Sequence, residues 1–223
     1  MALKEVIYKT LINGNSYITL LKGLGVTLEI SFFSVVIGSI LGVGICAMQR
    51  SRFLLIKKIS SLYISILRGS PVLLLLMLMY YVVFASSFIS PIIVAIITFS
   101  MHMSAYSAAC FNSAIEATDK MQVEAARTLG FSKSQAFFLI TLPQTAKIAK
   151  ATYQSTVVTL IQWTSVVGYV TISDLTRVIN NISSRTIEPL FMILVGLLLY
   201  LGLSYLCYGV FALIDRTSRN KRV

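Results

Sequence analysis

The sequence predicts an all-α polytopic membrane protein with five transmembrane helices, and two observations support this fold class. Of the 223 residues, 57% are hydrophobic and 12% are charged, which is far from the composition of a soluble globular domain. Several apolar runs also reach the roughly 20 residues that a helix needs to cross a bilayer. We therefore expect residues 1–223 to form a single membrane domain.

The net charge of +11 has two interpretations. A basic chain can bind nucleic acid, but these basic residues fall between apolar runs and lack interleaved aromatic residues that stack on bases. Cytoplasmic loops of membrane proteins carry an excess of lysine and arginine, so membrane topology explains the charge better. We expect no nucleic-acid partner.

The first predicted span covers 24–48 and follows a weakly amphipathic segment at 3–13. Gly38 and Gly42 lie four residues apart in this span. Small residues at that spacing let two helix backbones approach closely, so this side of the span should pack against another helix.

The second predicted span, 53–84, is longer than one crossing requires and contains Arg-Gly-Ser-Pro at 68–71. This combination interrupts a helix, and broken backbone at membrane depth must pack against protein or line a wet cavity. Two positions of Arg68 remain open. Its side chain either extends to a nearby interface or lies at an internal break, where it bonds carbonyl groups or a partner.

The third predicted span, 91–115, contains the only histidine, His102. A lone histidine without a second ligand indicates a packing or hydrogen-bonding residue rather than a metal ligand. The fourth span, 149–172, is unusually polar, and four residues recur on one side at helical spacing: Gln154, Val158, Gln162 and Ser165. Polar side chains in lipid are costly, so this side should face a helix bundle, a partner or a wet path.

The C-terminal part is predicted to contain a polar loop at 173–188, the last span at 189–214 and a basic tail. Five spans put the two termini on opposite sides of the membrane. A cytoplasmic C-terminus places most of the basic residues in cytoplasmic loops, which is the usual bias. The sequence therefore predicts an outside N-terminus and a cytoplasmic loop at 116–147.

This loop is the one long polar interruption of the apolar sequence. Asp119, with Gln122 three residues later, predicts a helix N-cap and a capping box. Gly130 suits the left-handed position just beyond a helix end. The helix between them has about ten residues, which is too short to be stable alone in water.

A second short helix is predicted to begin at Ser132, which forms a capping box with Gln135. Pro143 then breaks or restarts the helix. Two short helices joined by a glycine turn, and set between membrane spans, indicate a docking site for a partner.

Motifs of catalysis and nucleotide binding are absent from the sequence. It contains no Gly-x-x-x-x-Gly-Lys-Ser/Thr loop, no His-Glu-x-x-His and no Gly-x-Ser-x-Gly. Cys46, Cys110 and Cys207 stand singly in apolar runs, so we expect them to be buried rather than paired. We predict no catalytic residue, no metal site and no cofactor in this chain.

Three function classes remain open. A polar intramembrane side indicates transport, driven either by an energy-supplying partner or by an ion gradient through a carrier or channel subunit. The third alternative is a membrane scaffold whose loop binds a soluble partner without transport.

A resemblance to a known family rests on residues of the 119–143 loop. Glu124-Ala-Ala, Gly130 and Ile140-x-Leu-Pro143 resemble the coupling-loop motif in membrane subunits of bacterial ATP-binding cassette importers. The resemblance covers nearly the whole chain and points to the polar amino acid permeases, which include histidine, glutamine, arginine and cystine types. Further matching positions are Arg68-Gly-Ser-Pro71, Ala105-Tyr106, Gln122, Leu142-Pro143-Gln144, Thr164-Ser165 and Asp174-Leu-Thr176.

The resemblance implies a type I ABC importer fold in a bacterial cytoplasmic membrane. It also implies several partners: ATPase subunits that bind ATP and magnesium, a second permease subunit, and an extracytoplasmic solute-binding protein that delivers substrate. The ATPase would dock on the loop at 119–143. By resemblance, the residues that form this contact are Glu124, Ala125, Ala126, Arg127, Gly130 and Phe131.

Several positions depart from the family pattern. An acidic residue and a later arginine are replaced by Ala109 and Asn112, a glycine by Met121, and a Lys-Asp pair by Gln162-Trp163. Either the substrate is not cationic, or this chain is the non-binding half of a heterodimer, which we favour over a homodimer. The candidate substrate path is Arg68, Tyr106, Gln154, Gln162, Trp163, Thr164 and Ser165, and interhelical packing is the alternative role for each of them.

Overall fold

The computed structural model describes residues 3–220, without the side chains of 3, 215 and 217–220. These residues are helical almost throughout and form no strand, which confirms the predicted all-α class. The α-helices in this range are α1 (Leu3–Ile7), α2 (Ser16–Gln49), α3 (Leu54–Gly69), α4 (Val72–Leu78), α5 (Pro91–Glu116), α6 (Lys120–Thr128), α7 (Lys133–Ala136), α8 (Leu142–Trp163), α9 (Leu175–Thr186) and α10 (Pro189–Asn220). Wider π turns cover Tyr8–Ile12, Met79–Val83 and Phe137–Thr141, and 3-10 turns cover Asn13–Asn15 and Thr164–Val170.

Within residues 3–220, three helices are long and apolar enough to cross a membrane, and two bent helix pairs raise the number of candidate spans to at most five. The three helices are Lys4–Gln49, Pro91–Glu116 and Pro189–Ile214. The two pairs are Leu54–Gly69 with Val72–Val83, and Lys133–Val170 with Leu175–Thr186. Every predicted span overlaps one of these candidates.

The helix break predicted at 68–71 is present. α3 ends at Gly69, and α4 begins at Val72. Pro71 precedes α4 with extended backbone, at φ −61° and ψ 127°. Proline fixes φ, removes a hydrogen-bond donor and disfavours helical backbone in the residue before it, so the chain cannot remain α-helical here.

Contacts along the chain divide it into two compact units. The first unit comprises Met1–Val36, Ser70–Ser100 and Val157–Val223, and the second comprises Ile37–Gly69 and Met101–Thr156. Apolar side chains form one large buried cluster in the first unit: Ile30, Leu76, Ala95, Phe99, Val167, Val170 and Ile172. A smaller buried cluster in the second unit consists of Cys110, Ala114 and Ala149. Cys46 and Cys207 are also buried, which confirms the predicted burial of all three cysteines.

Close packing at Gly42 organises the second unit. A Cβ atom at this glycine would lie only 2.6 Å from the Ser107 Cβ and 3.1 Å from the Ser104 carbonyl oxygen. The backbones of α2 and α5 therefore approach closely here, as the Gly38–Gly42 spacing predicts. The Ser104 hydroxyl also lies 2.9 Å from the Tyr63 hydroxyl on α3.

The N-terminal helix begins earlier than the predicted first span. α2 starts at Ser16 rather than near residue 24, and the helical segment at 3–15 leads directly into it. Two contacts in the first unit hold this segment. Lys9 Nζ lies 3.1 Å from Glu188 Oε1, and Arg185 donates a hydrogen bond to the Ser16 hydroxyl.

The predicted polar loop at 173–188 is wrong, because most of it is helix α9. Five residues recur on one side of this helix and are buried: Leu175, Val178, Ile179, Ile182 and Thr186. Charged residues on the opposite side hide this helical periodicity when the composition alone is considered. The last helix also continues beyond residue 214 to Asn220, and positions 221–223 of the predicted tail lie outside the described residues.

Candidate functional site

The loop at 119–143 begins with a capped helix, α6, as predicted. Asp119 Oδ1 accepts a hydrogen bond from the Met121 N–H at 2.9 Å. The predicted capping box with Gln122 is wrong, because the Asp119 N–H donates instead to Gln144 Oε1, at 3.4 Å. Gln122 Oε1 accepts from Gln144 Nε2 at 2.6 Å. Gln144, which lies 25 positions from Asp119, therefore takes the place of the local partner.

The glycine turn after α6 is also as predicted. Gly130 has φ +90°, a conformation that residues with a Cβ rarely adopt. Its N–H donates to the Arg127 carbonyl at 3.2 Å, and the Phe131 N–H donates to the Ala126 carbonyl at 3.1 Å. This pair of bonds is the Schellman arrangement, which satisfies carbonyl groups at a helix end. The Arg127 guanidinium donates to the Phe131 carbonyl at 2.6 Å and further fixes the turn.

The second capping box is complete. The Gln135 N–H donates to the Ser132 hydroxyl at 3.2 Å, and the Ser132 N–H donates to Gln135 Oε1 at 2.8 Å. Both bonds are local, so the chain has a well-defined start for the helical run that follows.

Of the two outcomes predicted for Pro143, a break or a restart of the helix, the restart is observed, since α8 begins at Leu142 and the helical run does not end. Helical backbone extends without interruption from Lys133 to Val170. The ring of a proline normally collides with the carbonyl four residues earlier. Here the π turn at Phe137–Thr141 lies directly before α8 and changes the position of those carbonyls. The second short helix of the loop is therefore the beginning of the long helix that contains the predicted fourth span.

The six predicted docking residues lie on different sides of the loop. Glu124, Ala125, Arg127 and Gly130 are exposed, Phe131 is half-buried, and Ala126 is only 5% exposed. Ala126 therefore faces its own chain and is not available to a partner. Its small side chain permits the tight turn between α6 and the helical run after it.

Two large apolar residues on α6 and at its end are missed by the motif. Met121 and Leu129 are 77% and 79% exposed, although side chains of this kind are usually buried. With Ala125 they stand at positions i, i+4 and i+8, so they form one apolar stripe on the outer side of the helix. The helical spacing of Met121, Ala125 and Leu129 in the sequence indicates this stripe. The family resemblance does not, because in it Met121 only replaces a glycine.

Three candidate path residues lie in the second unit. The Arg68 guanidinium carbon lies 5.2 Å from the centre of the Tyr106 ring, which is the geometry of a cation–π contact. His102 is buried, and its ring stacks on Tyr106 with centroids 5.3 Å apart. Gln154 is half-buried on α8. Arg68 at the end of α3 is exposed and contacts this aromatic ring.

Four candidate path residues lie in the first unit, where α8 gives way to a 3-10 turn. Gln162 is exposed, and Trp163 packs against the large buried cluster of this unit. Thr164 is fully buried, and its hydroxyl donates to the Ile161 carbonyl at 2.7 Å. Ser165 is half-buried. The predicted polar side is thus not uniform, since Val158 is buried and Gln162 is exposed.

Helix α9 holds the 3-10 turn that contains Thr164 and Ser165. Arg177 Nη1 donates to the Gly168 carbonyl at 2.7 Å. The buried Asp174 carboxylate caps α9 and accepts from the N–H groups of Thr176 and Arg177, both at 3.0 Å. The predicted loop at 173–188 did not indicate the cap of α9 or the bond between Arg177 and Gly168.

A polar cavity of about 280 Å³ lies in the second unit, and no candidate path residue lines it. Its lining residues are Gln49, Arg50, Ser51, Lys57, Ser61, Asn112 and Glu116. Asn112, one of the departures from the family pattern, donates to Glu116 Oε1 at 2.9 Å. The described part of the chain brings together no group of three histidine, cysteine or acidic residues that would hold a metal ion.

Comparison with known proteins identifies the family. Residues 15–220 match the family of inner membrane components of binding-protein-dependent transport systems. The chain belongs to this family. It is therefore a membrane permease subunit of an ABC importer and not itself an enzyme.

Individual relatives agree with this assignment. The chain is 32% identical to YckA, a probable amino-acid ABC transporter permease of Bacillus subtilis, over 88% of this chain and 87% of the relative. It is 28% identical to the nopaline permease NocM of Agrobacterium fabrum, over 85% and 83%. The crystal structure of an amino acid ABC transporter with histidines superposes with a TM-score of 0.84 at 26% identity, and covers 93% of this chain and 98% of that one. The predicted type I importer fold is confirmed.

Proposed function

We propose that this importer subunit translocates a polar amino acid or a close derivative. Two of the permeases to which it is similar carry amino acids or nopaline in their names. The candidate path supports a polar substrate, since Arg68, Gln154 and Gln162 offer an exposed or half-buried guanidinium and two amides. The Lys-Asp pair of the family is replaced by Gln162-Trp163, which argues against strong recognition of a cationic side chain by this subunit.

The loop at 119–143 is the proposed docking site of the ATPase subunit. The observation that supports it best is the pair of large exposed apolar side chains, Met121 and Leu129, on a short helix with two fixed ends. Exposed side chains of this size are expected where a partner covers them. Glu124 and Ala125 lie on the exposed surface of the same helix, and Ala126 supports the turn from within.

We further propose five spans with the N-terminus outside and the C-terminus in the cytoplasm. This orientation places the docking loop, with its lysines and arginines, on the cytoplasmic side. The proposed assembly contains two permease subunits, ATPase subunits and a solute-binding protein. We favour a heterodimer of permeases, because several charged positions of the family pattern are replaced together in this chain.

The substrate class is tested by ATP hydrolysis of the assembled transporter in lipid nanodiscs with its binding protein. Polar L-amino acids should stimulate hydrolysis, and glucose or maltose should not. Equal stimulation by sugars, or by no amino acid, would contradict the proposed substrate class.

The role of Gln162 and Trp163 is tested in the same assay. Replacing both by alanine should lower amino-acid-stimulated hydrolysis about tenfold, because the proposed contacts of the Gln162 amide and the Trp163 ring with the substrate are worth roughly 1.4 kcal/mol together. Trp163 also packs against the buried cluster of the first unit, so the double variant can lose stability. Gln162→Ala alone changes only an exposed side chain. Stimulation that is unchanged in Gln162→Ala and in the double variant would remove both residues from the path.

A further inference from the structure

We propose that Gln144 is a positioning residue that ties the coupling helix α6 to the long helix α8, so that movement of the docked ATPase reaches the membrane through this side chain. The inference rests on the function proposed above. It concerns the step after docking, in which a displacement of α6 is transmitted to α8.

The covalent connection between the two helical segments is a poor transmitter of movement. It consists of residues 129–132, and Gly130 in the middle is the residue type with the greatest backbone freedom. The bonds that fix this turn are all local, within 126–135. They maintain the shape of the turn, but they connect nothing at the other end of α6.

Gln144 connects that other end. Its Nε2 donates to Gln122 Oε1 at 2.6 Å, and its Oε1 accepts from the backbone N–H of Asp119 at 3.4 Å. Both ends of one amide group are thus used on the first turn of α6 and its cap. With the glycine turn at one end and Gln144 at the other, α6 is held at two points, and a helix held at two points cannot swing about the turn.

The residue that makes this tie stands on a continuous helix. Gln144 is the third residue of α8, and helical backbone extends from Lys133 to Val170. Because Pro143 does not interrupt this run, a push on α6 is delivered to a continuous helix rather than to a loop.

The pair also explains why Gln122 is not used in a capping box. A local box would satisfy the Asp119 N–H from within α6. Instead the N–H is satisfied by Gln144, which leaves the Gln122 side chain to bond with the same residue. The first turn of α6 therefore depends on α8 for its hydrogen bonding, which is the arrangement expected of a mechanical link.

The test separates docking from coupling in the complete transporter. The permease is purified with its ATPase subunit and binding protein and placed in proteoliposomes. Uptake of a radiolabelled mixture of L-amino acids is divided by the ATP hydrolysed. Gln144→Leu should keep the ATPase in the complex and keep basal hydrolysis, but lower uptake per ATP about tenfold, because two hydrogen bonds of the tie are lost.

Three further variants make the test specific. Gln122→Leu should lower uptake per ATP, and Gln122→Leu with Gln144→Leu should be no worse than Gln144→Leu alone, since both act through one contact. Gln144→Glu should retain coupling, because the Gln122 amide can turn and donate to the new carboxylate. Gln135→Leu is the matched control, since it removes a 2.8 Å hydrogen bond of the same loop that stays within the turn.

The outcomes decide between the two claims. Wild-type uptake per ATP in both Gln144→Leu and Gln122→Leu would overturn the role of Gln144 and leave the proposed function intact. Loss of the ATPase subunit from Gln144→Leu, or an equal defect in Gln135→Leu, would also overturn it, because the residue would then only support the shape of the loop. Absence of ATP-driven uptake in the wild-type complex would instead contradict the proposed function. If Gln144→Leu does not fold, Gln122→Leu and Gln144→Glu still decide the question.

Discussion

Replacing Glu124 by lysine should release the ATPase subunit from the permease while the permease itself remains folded in the membrane. The side chain is exposed on α6, so the change disturbs no internal contact of the chain. At a docked surface it reverses a charge that the partner would have to pair. Such a change at an interface costs about 2–5 kcal/mol, and about 3 kcal/mol weakens binding more than a hundredfold.

The measurement is the amount of ATPase subunit that co-purifies with an affinity-tagged permease in mild detergent. Glu5→Lys is the matched control, because Glu5 is also exposed and lies on α1, outside the docking loop. The control should retain the ATPase. A normal amount of ATPase with Glu124→Lys, or an equal loss with Glu5→Lys, would show that α6 is not the docking site.

Replacing Gly42 by valine should destabilise the chain strongly. The first added carbon would lie 2.6 Å from the Ser107 Cβ, so α2 and α5 must separate or distort. Overpacking of this kind costs typically about 1–3 kcal/mol. For a chain of this length we expect the midpoint of thermal unfolding in detergent to fall by about 5 °C.

Gly44 provides the matched control for this substitution. It stands two residues further along α2, and a Cβ atom there meets nothing within 4 Å. Gly44→Val should therefore leave the midpoint unchanged or raise it slightly, because valine is no worse than glycine in a helix. Equal midpoints for the two variants would contradict the close packing of α2 on α5.

Features that depend on neighbouring residues were predictable from the sequence. The box of Ser132 and Gln135, the left-handed Gly130 and the break before Pro71 each follow from a few consecutive residues. The close approach at Gly42 was also predictable, because the repeat of small residues on α2 indicates a packed side. In each case the local preference and the folded chain agree.

Features that depend on distant residues were not predictable in the same way. Asp119 and Gln122 form a plausible local box, and nothing near them indicates that Gln144 would compete for both. Pro143 does not break the helical run, because the π turn before it moves the carbonyls that a proline ring would otherwise meet. No single residue in the sequence predicts such a turn. Helix α9 was not predicted for a different reason. Its charged and polar residues indicate a loop, although its apolar residues recur at helical spacing.

The candidate path was predicted with less success than the loop. Arg68 and Tyr106 are in contact, but Thr164 is fully buried and Trp163 packs on a core cluster. These residues were predicted from helical spacing and from the family resemblance, and neither distinguishes side chains that face a path from side chains that hold the helix in place. Gln162 precedes Trp163 in the chain and is exposed, so its substitution tests the path without disturbing the core.

We propose that a separate ATPase drives transport by this permease through the loop at 119–143. The most direct measurement is amino acid uptake into proteoliposomes that contain the permease subunits and the binding protein, with and without the ATPase subunit and ATP. We expect uptake only when the ATPase and ATP are both present. Uptake of equal size without the ATPase, driven by an ion gradient, would contradict the claim and identify the chain as part of a carrier or channel.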